Sequence, residues 1–401
     1  MLAGKVFLIL FVLLAGDSEC CTEDSDMKLV RAQNHFALKL LKELSSEAPE
    51  SNLFFSPTSI SVALAMVYAG ARGKSEAELS TALGHTAAGL SSRESILASY
   101  KTILAQQQTD DNVSVMIANA VFVQKNLKVL ESYQKELVDT FAAMFRSVDV
   151  GTEKSVMESE VNQWVKNKTR GKISGFKIPA NTIMALLNAI YFKGLWETPF
   201  HLNNTVPLNF YNKGSKKIKV EFMQRCGNVP ISFGPNYAAI ELSYKGDKHG
   251  MVIVFPYKII GLPKLQDAMT LETIERIRGS LKSEAVWVRL PKFDLKTEYG
   301  LIPALKKLGV RSIFSHADLS GITGDRGLWV TEVQHKAAIE VNEEGMGVSA
   351  PMKLENEGRF PTPFPVNSPF LFYIHEKATG RVLFLGAVHE LPVAKVKPAL
   401  R

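Results

Sequence analysis

Cysteine is scarce in this chain: 401 residues contain three, Cys20, Cys21 and Cys226. Two neighbours and one distant residue have neither zinc-site spacing nor Cys-x-x-Cys redox spacing. One of the first two could bridge to Cys226, but nothing in the sequence selects which, and an odd count leaves a thiol over. No His-Glu-x-x-His, no Gly-x-Ser-x-Gly and no cluster of metal-ligating side chains occurs. Metallo- and serine hydrolases are therefore disfavoured, the chain is expected not to be an enzyme, and no metal or cofactor is implied. Nucleic-acid motifs are missing, and so are fixed-period repeats and any Pro/Gly/Ser-rich linker. After the N-terminus no apolar run is long enough to cross a bilayer, so no membrane partner is expected.

What is present fits one large mixed domain. Hydrophobic residues make up 46% of the chain, enough for an extensive core. At the N-terminus, Lys5 precedes the apolar run Val6–Ala15, which is followed by small residues and an acidic stretch. This pattern predicts a signal peptide over residues 1–16, cleaved near 16–18, and a secreted, extracellular protein. Asn112, Asn167 and Asn203 each open an Asn-x-Ser/Thr tripeptide and are glycosylation candidates if exposed. The net charge is +7, with one local cluster at Lys213, Lys216, Lys217 and Lys219. On a strand, Lys217 and Lys219 share a face. Such a cluster is either solvated surface or a site for a polyanion such as a glycosaminoglycan.

Along the chain, periodicity predicts helices over 27–46, 58–69, 75–83, 91–107, 131–145, 156–168, 269–278 and 299–307. Strands are predicted over 52–55, 114–122, 182–192, 218–223, 237–242, 251–256, 286–290, 292–295, 331–341, 370–374 and 382–388. Helices crowd the first half and strands the second, which is α+β rather than an alternating parallel fold. Three polar residues stand out against apolar surroundings. Ser56 caps a helix that is apolar almost all round, Asn188 interrupts a long apolar strand, and His335 sits early in another. If buried, each needs a hydrogen-bond partner.

The segment from Glu343 to Pro365 links two strands and is longer than an ordinary connection. Its first half places Met346, Val348, Ala350, Met352 and Leu354 at every second position, the period of a half-buried strand. The loop thus carries a strand pattern while lying between strands.

Six segments in order, among them NLFFSPTSIS from Asn52, LNAIYFKGLWETPF from Leu187, LPKFDL from Leu290 and VQHKAAIEVNEEG from Val333, resemble the serpin family across residues 27–391. Within it they resemble secreted arthropod members of the tick salivary type. The resemblance implies a serpin fold of three β-sheets and about nine helices, a single domain over 27–391, an exposed reactive-centre loop at 343–365 and a basic tail at 392–401. It implies a monomer that inhibits a serine protease: the protease cleaves the loop, and the upstream half then enters the main sheet as a new strand. Carried over residue by residue, it makes Ser56, Ser59, Asn188 and His335 a polar latch under the sheet, Trp196, Lys292 and Glu343 the point of first entry, and Glu343, Glu344 and Gly345 the hinge. Met346 and Pro351 depart from the family pattern of small residues after the hinge glycine; proline also lacks the donor a central strand uses. They imply inefficient inhibition, or a non-inhibitory binding or carrier protein instead. The scissile bond follows either Arg359, implying a trypsin-like protease, or Glu357, implying one that prefers acidic residues.

Overall fold

The computed structural model describes residues 24–106, 113–344 and 360–394. The predicted leader, Cys20, Cys21, Asn112, the loop residues 345–359 and the end of the tail from 395 lie outside these residues.

The architecture is α+β, with ten α-helices and two hydrogen-bonded sheets among the described residues. The main sheet has five strands in the spatial order Phe293–Gly300, Glu332–Val341, Met184–Gly194, Val113–Gln124, Met144–Val148. The other has nine. Two of the three expected sheets are continuous here because one strand, Lys216–Phe233, runs unbroken through both. Its first half pairs with Val206–Asn212, its middle with Lys282–Pro291, and its end with Tyr237–Ser243.

Helix Pro57–Gly70 packs against both Met184–Gly194 of the main sheet and Val382–Val388 of the other. That position explains its sequence. All of its residues except Ala69 are buried, as a helix with no solvent face must be. Ser56 caps it by accepting from the Ser59 N–H at 3.1 Å, and Pro57 occupies the first turn, where no N–H is needed.

Some elements differ from the sequence expectation. The helix expected to reach residue 145 stops at Phe141, because Ala142 turns left-handed (φ 47°), and Met144–Val148 becomes an edge strand. The strand Phe293–Gly300 continues past Tyr299, so the next helix begins only at Ile302, with Pro303 in its first turn. Strand Val206–Asn212, helix Leu262–Ala268 and strand Thr362–Pro365 were not anticipated. The last four residues of the expected loop therefore form a strand, parallel to Lys282–Pro291 at the sheet margin, where the two prolines Pro363 and Pro365 are tolerated.

Candidate functional site

At the centre of the main sheet, Glu332–Val341 and Met184–Gly194 run parallel, with Glu332 beside Ala185 through to Ile339 beside Phe192. The two pairs that flank it are antiparallel, and the edge pair Val113–Gln124 with Met144–Val148 is again parallel. Across the middle runs a row of polar residues in register: Tyr299, His335, Asn188 and Asn119, one from each of four adjacent strands. Neighbours in register project to the same face, and here that face meets the N-terminus of helix Pro57–Gly70.

These groups satisfy one another. The His335 Nε2 accepts from the Ser56 N–H at 3.2 Å, so its proton lies on Nδ1, which donates to the Asn188 Oδ1. The Asn188 Nδ2 donates to Ser59 Oγ and to Asn119 Oδ1. Ser56 Oγ donates to the Leu383 carbonyl at 2.7 Å, which ties the cluster to the other sheet. The Tyr299 hydroxyl accepts from the Phe54 N–H at 3.2 Å, and its ring lies nearly parallel to the His335 imidazole. Burial pushes the His335 pKa down to about 3; the ring is neutral near neutrality, as a nitrogen that accepts from a backbone N–H requires. Ser56, Ser59, Asn188 and His335 are thus brought together in one network. Asn119 and Tyr299 also belong to it. Asn119 could have been found as the polar interruption of an apolar strand, as Asn188 was; Tyr299 could not, since a tyrosine ending a strand carries no signal.

A second cluster sits where Glu332–Val341 leaves the sheet. The Trp196 indole N–H donates to the Asn342 carbonyl at 2.8 Å, the Phe200 N–H to the Glu343 carbonyl at 3.3 Å, and the Trp196 N–H to the Glu344 carbonyl at 3.1 Å. Trp196 itself is held by stacking on Tyr244. The Glu343 carboxylate is almost fully buried, yet it accepts from Thr205 Oγ1 at 2.7 Å and pairs with Lys292 Nζ at 3.0 Å. Burial disfavours its charge, but these bonds and one from its own backbone outweigh that, and its pKa falls below the ordinary carboxylate value. Glu344 is more exposed and pairs with Lys193 at 2.6 Å. Lys292 and Glu343 line a cavity of about 860 Å³, whose wall also includes Phe200, Phe293 and Asn342, and Trp196 holds the Asn342 and Glu344 carbonyls beside it. The chain is pinned residue by residue up to Glu344. Gly345, Met346, Pro351, Glu357 and Arg359 lie outside the described residues; Phe360, where description resumes, is 99% exposed.

The family sequence model for Serpin (serine protease inhibitor) matches residues 31–391. The chain belongs to the serpin family. It is 37% identical to Iripin-1 of Ixodes ricinus, over 96% of this chain and 98% of that one. It is 33% identical to Intracellular coagulation inhibitor 2 of Tachypleus tridentatus, over 92% of each. Among solved structures, human thyroxine-binding globulin matches with a TM-score of 0.83 at 26% identity, covering 92% of this chain and all of that one. The serpin scaffold and its α+β class are as the sequence led us to expect. Secretion is not: serpins named as intracellular match nearly the whole chain, and the apolar leader on which that expectation rested lies outside the described residues. Asn167 and Asn203 are exposed, but their use as glycosylation sites rested on that same extracellular assignment.

Proposed function

We propose that this serpin inhibits a serine protease by offering the 343–365 loop as bait and, once it is cut, drawing the segment after Gly345 into the main sheet. The observation that carries this is the parallel central pair. A segment following Val341 can re-enter beside its own strand only by running back against it. Between Glu332–Val341 and Met184–Gly194 it would be antiparallel to both, and two antiparallel ladders would replace one parallel ladder, the weaker kind per residue. The alternation of Met346, Val348, Ala350, Met352 and Leu354 suits such a strand, each large side chain gaining roughly 1.5–3 kcal/mol on burial.

Opposing entry are the Glu343 anchor at the top and the His335–Asn188 bond at the centre, both of which hold the pair closed. These contacts make the uncut form a kinetically held state. The scissile residue is Arg359 or Glu357, with a trypsin-like or an acid-preferring target respectively. Met346 and Pro351 slow entry, so part of the protease completes hydrolysis and escapes. Mixing with proteases of each type, followed by a denaturing gel and N-terminal sequencing of the released fragment, fixes the bond and the ratio of stable complex to cleaved product.

The second reading is a non-inhibitory carrier. Met346 and Pro351 favour it, and thyroxine-binding globulin, named for its ligand, shares the fold. The two readings separate on one measurement. Loop cleavage raises the thermal midpoint steeply if the segment inserts, and leaves it unchanged in a carrier whose loop stays out.

A further inference from the structure

We propose that the edge of the larger sheet bearing Lys216, Lys217 and Lys219 is a docking surface for anionic lipid bilayers. This goes beyond protease inhibition and does not depend on it. It also departs from the sequence expectation of no membrane partner, which concerned spanning segments only.

The lysine cluster of the sequence lies on a hairpin between Val206–Asn212 and Lys216–Phe233. Lys217 faces Tyr211 and Lys219 faces Asn209 across the ladder, so both lysines share one face, while Phe210 and Val220 fill the opposite one. Lys213 and Gly214 make the left-handed tip (φ 52° and 72°). Against this tip lies the exposed segment Tyr257–Lys258–Ile259–Ile260. A methyl added to Gly214 would meet the Ile260 side chain at 2.8 Å and the Ile259 carbonyl at 3.0 Å, so the two loops touch.

That second loop is unusual for a soluble surface. Ile260 is 72% exposed, Tyr257 54% and Ile259 44%. Val393, 65% exposed, precedes Ala394, whose N–H donates to the Lys219 carbonyl, so a further exposed apolar residue runs beside the lysine strand. Five lysines, at 213, 216, 217, 219 and 258, are exposed in these two loops. Lys213 lies 3.6 Å from Glu50 and 3.7 Å from Glu390; these are the acidic groups it meets, and no ion pair engages the other four among the described residues.

Cations alone would suit any polyanion. Large aliphatic side chains protruding beside them do not: a sulfated polysaccharide offers nothing apolar to cover them. An anionic bilayer offers both a negative surface for the lysines and an acyl boundary for Ile259 and Ile260. Each lysine near such a surface is worth about fivefold in binding.

The test is co-sedimentation of the full chain with vesicles of phosphatidylcholine alone, and of phosphatidylcholine mixed with phosphatidylserine, beside a heparin-column run. We expect binding to the mixed vesicles and none to phosphatidylcholine. Changing Lys216, Lys217 and Lys219 together to Gln should weaken it roughly a hundredfold. Ile259→Ser with Ile260→Ser should weaken it at least about tenfold while leaving heparin retention unchanged. All five positions are exposed, so these variants retain the fold. As a check on the unaltered protein, a fraction of the binding should persist at high salt, where screening removes the lysine contribution. Failure to bind phosphatidylserine vesicles overturns the proposal. So does binding that the isoleucine changes leave intact or that salt removes entirely; either would make this a polyanion surface only.

Discussion

His335 holds the centre of the sheet as a neutral ring, and that makes it a proton-linked contributor to stability. Unfolded, it takes up a proton near its ordinary value of about 6.5; folded, burial delays this to about 3. Between those values the unfolded chain binds the extra proton, so the contribution is complete above about pH 6.5. It is lost on acidification at up to ~1.4 kcal/mol per pH unit. Protonation would also abolish the acceptor that the Ser56 N–H uses. His85, also pushed down by burial, to about 4, adds a slope of the same sign, so the comparison must be internal. His335→Gln should flatten the dependence of unfolding free energy on pH between about pH 4 and pH 6 by close to one proton's worth. It should also lower stability near neutrality by about 1–3 kcal/mol for each partner left unmatched. Denaturant titrations at several pH values measure both. An unchanged slope would mean that the ring is already protonated in the fold, and the network as drawn would be wrong.

At the level of strands and loops, the proposed insertion would make the hinge segment the step that sets efficiency. Entry past Met346 would proceed with donors and acceptors available until Pro351, which offers no N–H to a flanking ladder. One unmatched carbonyl costs about 1–3 kcal/mol, less than the apolar set Met346, Val348, Met352 and Leu354 returns on burial. On the proposed mechanism, proline should therefore delay insertion without forbidding it. Pro351→Ala should raise the proportion of stable complex over cleaved product, read as band intensities on a denaturing gel; an unaltered ratio would place the delay elsewhere. The same scale shows what was legible beforehand. The buried helix after Ser56 and the long strand around Asn188 were visible because burial on both sides leaves a composition mark. The left-handed stop at Ala142 and the marginal strand Thr362–Pro365 were not. An alanine in that conformation carries no signal, and a strand containing two prolines reads as a turn until its neighbour is known. Of the two clusters, Ser56, Asn188 and His335 declared themselves as polar residues in apolar runs. Thr205, which completes the Glu343 anchor, lies in an ordinary polar loop and became meaningful only in three dimensions.

Over the molecule as a whole, the proposed insertion makes the anchor and the central network act on one event, the parting of Glu332–Val341 from Met184–Gly194. Glu343 has its carboxylate tied to Thr205 and Lys292 only while the chain leaves the sheet where it now does. If the following segment turns inward, Glu343 must move with the hinge and those bonds are given up. The contribution of Glu343 should therefore belong to the uncut form alone. Its pKa is depressed, so that contribution is present above the ordinary carboxylate range near pH 4.3 and disappears as the pH falls through the lower folded value. Glu343→Gln keeps an acceptor for Thr205 but removes the charge facing Lys292. We expect it to lower the thermal midpoint of the uncut protein and to shorten the lifetime of its native monomer on a non-denaturing gel, the more so near neutral pH than below about pH 4. After loop cleavage the midpoints of the variant and the unaltered protein should coincide. An equal loss in both forms would show that Glu343 never leaves its pocket, and a segment tethered at Glu343 in that way could not become the middle strand of the sheet.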